Sequence, residues 1–212
     1  MAAGLPKRGC VRIRPFSGWI FLLSRKGVGI IVYEIALFAV VLAFLRGGSI
    51  RRLQETEFRH SLLIISCFLV QVTAMFLYDR IYFFHQTFPI WIASTYLALV
   101  YCCWQNRRLP GFLIFGAGLL LNVSVIVLND GRMPVSVDAL EWANLAQYVA
   151  PLQEGITKHQ PLTEAAVLPF LADVIPLKPP YALASRVVSV GDLIMSIGIS
   201  YFLHRRMLEQ SR

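Results

Sequence analysis

Five long apolar blocks constrain this chain more than any other feature of its sequence. Each has 17–19 residues, and an α-helix of that length covers about 26–29 Å, close to the thickness of a bilayer's hydrocarbon core. The blocks are Val28–Leu45, Ser61–Tyr78, Phe88–Trp104, Pro110–Leu128 and Val187–Leu203. Backbone groups in lipid must bond within their own segment, and no alternating ten-residue strand pattern is present, so we predict helices.

The predicted fold is therefore an all-α integral membrane protein, with about five transmembrane helices in a compact bundle. A long, partly helical extramembrane loop (residues 129–186) separates spans four and five. Residues 1–27 are expected to form a basic interfacial tail, and residues 28–212 a single transmembrane domain. The run after the tail is longer than the apolar core of a signal peptide and lacks its small-residue cleavage site, which argues against a cleaved leader.

Composition excludes an ordinary soluble domain. Hydrophobic residues make up 57% of the chain and charged residues 15%, against about 45–50% and about 25% in soluble domains. The net charge is +8, but the basic residues cluster at the ends of the apolar blocks, as expected for contact with lipid headgroups. We therefore expect membrane lipids as partners, allow for a protein partner or complex, and exclude nucleic acid.

The distribution of Lys and Arg predicts an orientation. The segments 46–60, 105–109 and 204–212 hold four, two and three basic residues, whereas 79–87 holds one. The positive-inside rule then places the long loop outside and the C-terminus in the cytoplasm. Six positive charges in the tail favour the opposite orientation, so the two signals compete.

Polar residues inside the apolar blocks form a predicted layer. Counting residues from the block ends places one group roughly 8–11 Å below the surface that carries the long loop. The group comprises Glu34, Gln71, Ser94, Thr95, Asn122 and Asp192. In the last block, Ser189, Asp192, Ser196 and Ser200 share one helical face.

Two interpretations of this layer stay open. In the first, a pocket opens toward the loop, with Asp192 and Glu34 as ligand or proton groups, because a carboxylate at that depth is costly unless it is paired, protonated or functional. In the second, the same residues are interhelical hydrogen bonds that hold the bundle together.

The start of the long loop carries a turn signal. Asn129, Asp130 and Gly131 favour a turn with positive φ. Arg132 is expected to pair with Asp130 or with a headgroup phosphate, and Met133 to be extended because it precedes proline.

A short helix is predicted farther along the loop, over Ala139–Ala150. Asp138 and Glu141 have the spacing of a capping box at its start. Its apolar stripe, suited to lying on the bilayer or over the bundle mouth, comprises Trp142, Leu145, Tyr148, Val149 and Leu152.

No catalytic motif of a serine hydrolase, zinc protease, P-loop protein or dinucleotide-binding enzyme is present in the sequence. His159 and Asp173 are the acid–base candidates of the loop, although a single histidine in a polar loop is usually solvated. Cysteine and histidine spacings do not suggest a metal site. The sequence predicts no cofactor and no metal, and it favours a non-enzymatic role without deciding against an enzyme.

Several motifs resemble a bacterial membrane family known as domain of unknown function 5317. They are Arg46-Gly47-Gly48, Gln71, LNVSVIVLNDGRMPVS, LPFLADVIPL and VVSVGDLIMSIGI. The resemblance covers roughly residues 30–205. Asp130 stands where the family pattern has a glycine, and the basic tail is an extension of that pattern. The resemblance implies a fold, a site location and a place in a bacterial inner membrane, but the family has no established activity.

Three functions are compatible with these features. The favoured one is an uncharacterised multi-pass membrane protein that acts as a non-enzymatic accessory, partner-binding or structural component. The alternatives are a small-ligand, lipid or ion-binding or transport bundle that uses the polar layer below loop 129–136, and a membrane enzyme acting on a lipid or envelope substrate. The candidate ligand or polar-network residues are Glu34, Gln71, Asn122, Asn129, Asp130, Arg132, Met133, Ser189, Asp192 and Ser196.

Overall fold

The computed structural model describes residues 30–78, 80–155 and 159–209. Within these residues the chain is mostly helical, and each predicted block contributes one long helix. They are α1 (Ile30–Leu45), α3 (Ser61–Leu77), α4 (Tyr82–Gln105), α5 (Phe112–Leu128) and α8 (Val190–Leu208), with the short α2 (Arg51–Gln54) after α1. The predicted N-terminal tail lies outside the described residues.

One helical segment among the described residues, Gln86–Gln105 in α4, is long and apolar enough to cross a membrane. Only 22% of its most apolar window is buried inside the protein. Shorter apolar segments occupy Val32–Leu45, Ser61–Ala74 and Phe112–Leu128. A single helix of this kind gives weak support for membrane association, and the expected five spans stay a prediction.

The helices pack in the order α3, α4, α5, α8, α1, each against the next. Glycines allow the closest approach, between α5 and α8. A Cβ atom on Gly118 would lie 2.6 Å from the carbonyl oxygen of Gly191, and one on Gly198 would lie 2.4 Å from the backbone nitrogen of Phe115. Small residues at such contacts let two helix backbones meet, and here they bring the polar side chains of α5 and α8 within hydrogen-bond distance.

Residues 129–155 and 159–189 form a small folded unit, the cap, between α5 and α8. Parallel strands β1 (Met133–Val135) and β2 (His159–Pro161) pair Met133 with His159, and antiparallel strands β3 (Ile175–Leu177) and β4 (Arg186–Val188) pair Ile175 with Val188. The helical elements are α6 (Val137–Trp142), α7 (Val149–Gln153) and 3-10 turns at Ala146–Tyr148 and Pro169–Leu171. The core of the cap consists of Val135, Ala139, Leu140, Ala143, Leu152 and Val187.

The single predicted helix over Ala139–Ala150 is wrong. Helix α6 ends because Asn144 adopts φ +59°. The amides of Asn144 and Leu145 then donate to the carbonyls of Glu141 and Leu140 at 3.0 and 2.8 Å, which is the hydrogen-bond pattern of a Schellman motif.

The other end of the predicted helix also differs, since the capping residue is Ser136, whose hydroxyl accepts from the Ala139 amide at 3.2 Å. Asp138 lies inside the first turn. The predicted apolar stripe is therefore not one helical face. Leu145 and Val149 pack against the cap core, whereas 49% of Trp142 is exposed.

Two predicted span boundaries also change. Val187 was expected to begin the last span, but Val187 and Val188 belong to β4, and α8 begins at Val190 after the capping residue Ser189. The third helix begins at Tyr82 rather than Phe88 and contains Pro89. As a result, Asp192 lies in the first turn of α8 rather than deep within a span.

Candidate functional site

The central polar contact joins the first turn of α8 to the last turns of α5. Ser189 and Asp192 form a capping box: the Asp192 amide donates to the Ser189 hydroxyl at 3.0 Å, and the Ser189 amide donates to Asp192 Oδ2 at 3.1 Å. The Asn122 amide group donates to Asp192 Oδ1 at 2.9 Å, and the Ser189 hydroxyl donates to Asn122 Oδ1 at 3.0 Å. All three side chains are buried.

These side chains form their hydrogen bonds with one another and with the backbone of α8. Each Asp192 carboxylate oxygen accepts a hydrogen bond, and the Ser196 hydroxyl donates to the Asp192 backbone carbonyl at 2.7 Å. Only 5% of Asp192 is exposed. Chemically, the arrangement satisfies a buried carboxylate and fixes where α8 starts and which face meets α5.

Glu34 makes a separate contact, from α1 to the cap. Its Oε1 pairs with Nη2 of Arg186, and its Oε2 accepts from the Leu183 amide at 3.3 Å. The Arg186 side chain is 1% exposed and that of Glu34 is 15% exposed. Arg186 Nε donates to the Ala184 carbonyl at 3.1 Å. This ion pair holds the first long helix against β4.

Sequence reasoning missed Arg186. A signal was present, because Glu34 is the sole charged residue of its apolar block. A buried carboxylate requires a partner, and Arg186 stands directly before the last apolar block.

Gln71 forms the third contact, from α3 to α4. Its amide group donates to the Thr95 hydroxyl at 3.1 Å, and that hydroxyl donates to the Trp91 carbonyl at 2.8 Å. Ser94 is exposed, and its hydroxyl donates to the carbonyl of Ile90 in the same helix at 2.7 Å. The predicted layer is therefore divided into three separate joints rather than gathered into one site.

Asn129 fastens the start of the cap. Its amide group donates to the carbonyls of Val125 and Val167 at 2.8 and 2.9 Å, and its Oδ1 accepts from the Val167 amide at 2.9 Å. Asp130 and Gly131 follow with φ of +56° and +75°. The predicted turn is present, and Asp130 occupies a conformation that glycine adopts without strain.

Asp130 and Arg132 line a small cavity of about 170 Å³, between this turn and the start of α4. Tyr78, Gln86, Phe88 and Pro89 complete its lining. Met133, in contrast, is buried against Val125, Ile126 and Leu171. Asp130 and Arg132 therefore face the cavity, whereas Met133 belongs to the hydrophobic core.

The two acid–base candidates of the loop are on different elements. Asp173 is buried. Its amide donates a hydrogen bond to the Pro134 carbonyl, and its carbonyl accepts one from the Ser136 amide, at 3.0 Å each. His159 lies on β2 beside Met133.

A larger cavity, which sequence reasoning did not anticipate, lies at the opposite end of the bundle. It has a volume of about 360 Å³ and is lined by α3, α4, α5 and α8. Phe58, Ile64, Leu99, Cys103, Phe112 and Gly198 are among its walls. No cluster of three or more His, Cys, Asp or Glu residues suited to a metal occurs among the described residues.

Comparison with known proteins identifies the family. A family model described as "Family of unknown function (DUF5317)" matches residues 55–204. The chain belongs to this family. The match includes the cap, the Asn122–Ser189–Asp192 contact and Arg186, while Glu34 and the Arg46-Gly47-Gly48 motif precede it. The resemblance predicted from sequence motifs is thus confirmed.

An uncharacterized protein from Thermotoga maritima is similar to part of the chain. It is 35% identical over 97 residues, which cover 46% of this chain and 52% of that protein. The chain therefore aligns with about half the length of this relative. No solved structure matches the chain.

Proposed function

We propose that this protein is a non-enzymatic, multi-pass membrane component that acts as an accessory or structural partner within a membrane complex. The use of the buried polar side chains supports this role most directly. Both carboxylate oxygens of Asp192 accept hydrogen bonds, from Asn122 and Ser189. The carboxylate of Glu34 pairs with Arg186 and accepts a hydrogen bond from the Leu183 amide. These groups join secondary-structure elements and leave no acceptor directed at a substrate.

Exposed apolar side chains support a five-span bundle. Each long helix presents at least one outward: Phe38 of α1, Leu62 of α3, Ile90 of α4, Leu120 of α5 and Ile197 of α8 are 48–79% exposed. Large exposed apolar patches are rare on soluble monomers, so outward-facing apolar side chains on every long helix favour a lipid environment. The helices have 16–24 residues, or about 24–36 Å of helix, which suits a bilayer with modest tilt.

The segregation of charge supports an orientation with the cap outside and the C-terminus in the cytoplasm of a bacterial inner membrane. The connections between long helices opposite the cap, together with the end of α8, contain eight arginines among the described residues. They are Arg46, Arg51, Arg52, Arg59, Arg107, Arg108, Arg205 and Arg206. Short connections rich in arginine are retained on the cytoplasmic side.

Cysteine labelling in bacterial spheroplasts tests the membrane location and the orientation together. In a cysteine-free background, Glu164→Cys in the cap should react with a membrane-impermeant maleimide before lysis. Glu55→Cys, after α2, should react only after lysis. The reverse pattern would contradict the orientation, and recovery of the protein in the soluble fraction would contradict the membrane location.

The accessory role is tested on the chain expressed at its native level. Gentle detergent extraction followed by native mass spectrometry should release a complex of fixed stoichiometry with another protein. Recovery of the 23.9 kDa chain without a second protein would refute this role, even if the chain proved to be membrane-embedded.

The cavity beside Asp130 and Arg132 supports a second candidate function, the binding of a small anionic ligand below loop 129–136. Inorganic phosphate is a suitable first probe. It should raise the thermal stability of the protein relative to sodium chloride at equal ionic strength, and Arg132→Gln should abolish the difference. An equal response of the variant and the wild type would exclude this candidate.

A further inference from the structure

We infer that the apolar cleft at the arginine-rich end of the bundle holds an acyl chain of an anionic phospholipid, whose phosphate is bound by Arg59, Arg108 and Arg205. The inference rests on the proposed membrane location. It assigns a ligand to a cavity that takes no part in the polar contacts of the cap end.

The cleft has the size and chemistry of a binding site for a hydrocarbon chain. Its volume of about 360 Å³ falls within the range of about 300–1,000 Å³ typical of small-molecule pockets. It is partly open and lies between the α3–α4 and α5–α8 helix pairs. An empty apolar cavity forfeits dispersion contacts along its walls, and water gains no hydrogen bonds there. A lipid tail restores the contacts.

Three aromatic rings lie together at the arginine-rich end of the cleft. The ring centroids of Phe58 and Phe112 lie 5.7 Å apart, and the Phe202 ring lies 5.7 Å from the first and 5.2 Å from the second. Phe58 and Phe112 also line the cleft. A chain in the cleft would therefore end its apolar part at these rings, directly below the polar connections.

Three arginines belong to the chain segments at this boundary. Arg59 stands between the lining residues Phe58 and Ser61. Its backbone exchanges two hydrogen bonds with the Asn106 side chain, at 2.8 and 2.9 Å, which brings the turn containing Arg108 beside it. Arg205 follows Phe202 by one helical turn.

These three arginines differ from Arg51 and Arg206 in having no described acidic partner. Arg206 pairs with Glu209 at 2.6 Å and Arg51 approaches Glu55 at 4.0 Å, whereas no described acidic residue pairs with Arg59, Arg108 or Arg205. All three are exposed. Guanidinium groups bind phosphate oxygens through directed N–H donors, and basic clusters at the cytoplasmic ends of membrane helices recognise anionic lipids. Cationic groups beside an apolar cleft match the two ends of an anionic phospholipid.

Native mass spectrometry of the full chain with defined lipids tests this assignment. Delipidated protein in detergent is titrated with phosphatidylglycerol or with phosphatidylcholine of the same acyl chains. One phosphatidylglycerol should bind at least tenfold more tightly than phosphatidylcholine. The Arg59→Gln/Arg108→Gln double variant should lose about 10- to 30-fold in affinity for phosphatidylglycerol. Arg80→Gln, at the cap end, is the matched control and should not change it. Equal affinity for both lipids, or an unchanged double variant, would overturn the assignment.

Filling the cleft tests the position of the acyl chain. Ile64→Trp adds a large side chain to the cleft wall and should abolish stoichiometric phosphatidylglycerol binding. Leu62→Trp changes the same helix at a position that is 79% exposed, and it should bind as the wild type does. Melting temperatures of both variants verify folding. If Ile64→Trp binds normally, or if a second protein chain occupies the cleft, the assignment is wrong. A membrane-embedded protein without this lipid preference would leave the proposed function intact, whereas a soluble protein would refute both.

Discussion

Replacing Asn122 by leucine removes the link between α5 and α8 while keeping the number and branching of the side-chain heavy atoms. Two hydrogen bonds are lost, from Asn122 to Asp192 Oδ1 and from the Ser189 hydroxyl to Asn122. A hydrogen bond to a charged group contributes about 1.5–3 kcal/mol, and a neutral one about 1 kcal/mol. Because Asp192 is only 5% exposed and its Oδ1 loses the Asn122 donor, we expect Asn122→Leu to lower the free energy of unfolding by about 2–4 kcal/mol. For a chain of this length the melting temperature then falls by about 4–16 °C.

Thermal unfolding of the purified protein in one detergent at fixed lipid content measures this effect. The matched control is Ser124→Ala on the same helix, since the exposed Ser124 hydroxyl donates only to the Leu120 carbonyl one turn earlier. It should change stability by less than about 0.5 kcal/mol. A double-mutant cycle with Asp192→Leu should give a coupling of about 1–2 kcal/mol. Equal melting temperatures of Asn122→Leu and Ser124→Ala would refute the interpretation of this contact as a joint.

Further substitutions probe other contacts. Gly191→Ala would place a Cβ atom 1.9 Å from Asn122 Oδ1, so thermal unfolding should show a loss of about 1–3 kcal/mol, and an unaltered melting temperature would contradict the close α5–α8 approach. Asn144→Gly should keep or raise stability by up to about 1 kcal/mol in the same assay, because glycine adopts the φ of +59° more readily; a clear loss would count against the Schellman ending. Glu34→Gln leaves the buried Arg186 without a counter-charge, which costs about 3–5 kcal/mol. Limited proteolysis of the cap should accelerate, and wild-type resistance would show that this ion pair does not hold the cap.

The positions of the long helices could be predicted because each rests on a continuous apolar run. The helix boundaries could not be predicted where the same apolar residues suit either a helix or a strand. Val187 and Val188 extend the last run, but β-branched residues suit a strand equally well, and a short apolar segment has no period that separates helix from strand. The Ser189–Asp192 spacing was the available signal, since a capping box marks a helix start.

The cap was harder to predict than the bundle. Its helix from Ala139 looked continuous because the apolar spacing persists through Asn144. A single residue at positive φ was enough to end that helix, and the choice between continuing and turning depended on tertiary packing of Leu145 and Val149 against the cap core.

Counting residues from the block ends assigned a depth to each polar side chain, but it could not show which side chains would meet. Whether two side chains meet depends on their depth, on which helices are neighbours and on how each helix is rotated about its axis. Asn122 and Asp192 meet because α5 and α8 are neighbours, whereas Gln71 on α3 and Glu34 on α1 belong to the two outer helices of the packing order. Each of these found another partner, Thr95 and Arg186. Arg186 could not be assigned from spacing, because it lies 152 residues from Glu34 in the chain.

The two ends of the bundle differ in what a ligand would have to displace in order to bind. At the cap end, Asn122, Ser189 and Asp192 are hydrogen-bonded to one another. A ligand would have to break these hydrogen bonds before forming its own. At the other end, Arg59, Arg108 and Arg205 are exposed beside an apolar cleft, and a phosphate bearing an acyl chain would add contacts without removing any. Binding is favoured where the desolvation cost is smallest and the ligand's contacts are new. The arginine-rich end is therefore where a binding partner of this family member should be sought first.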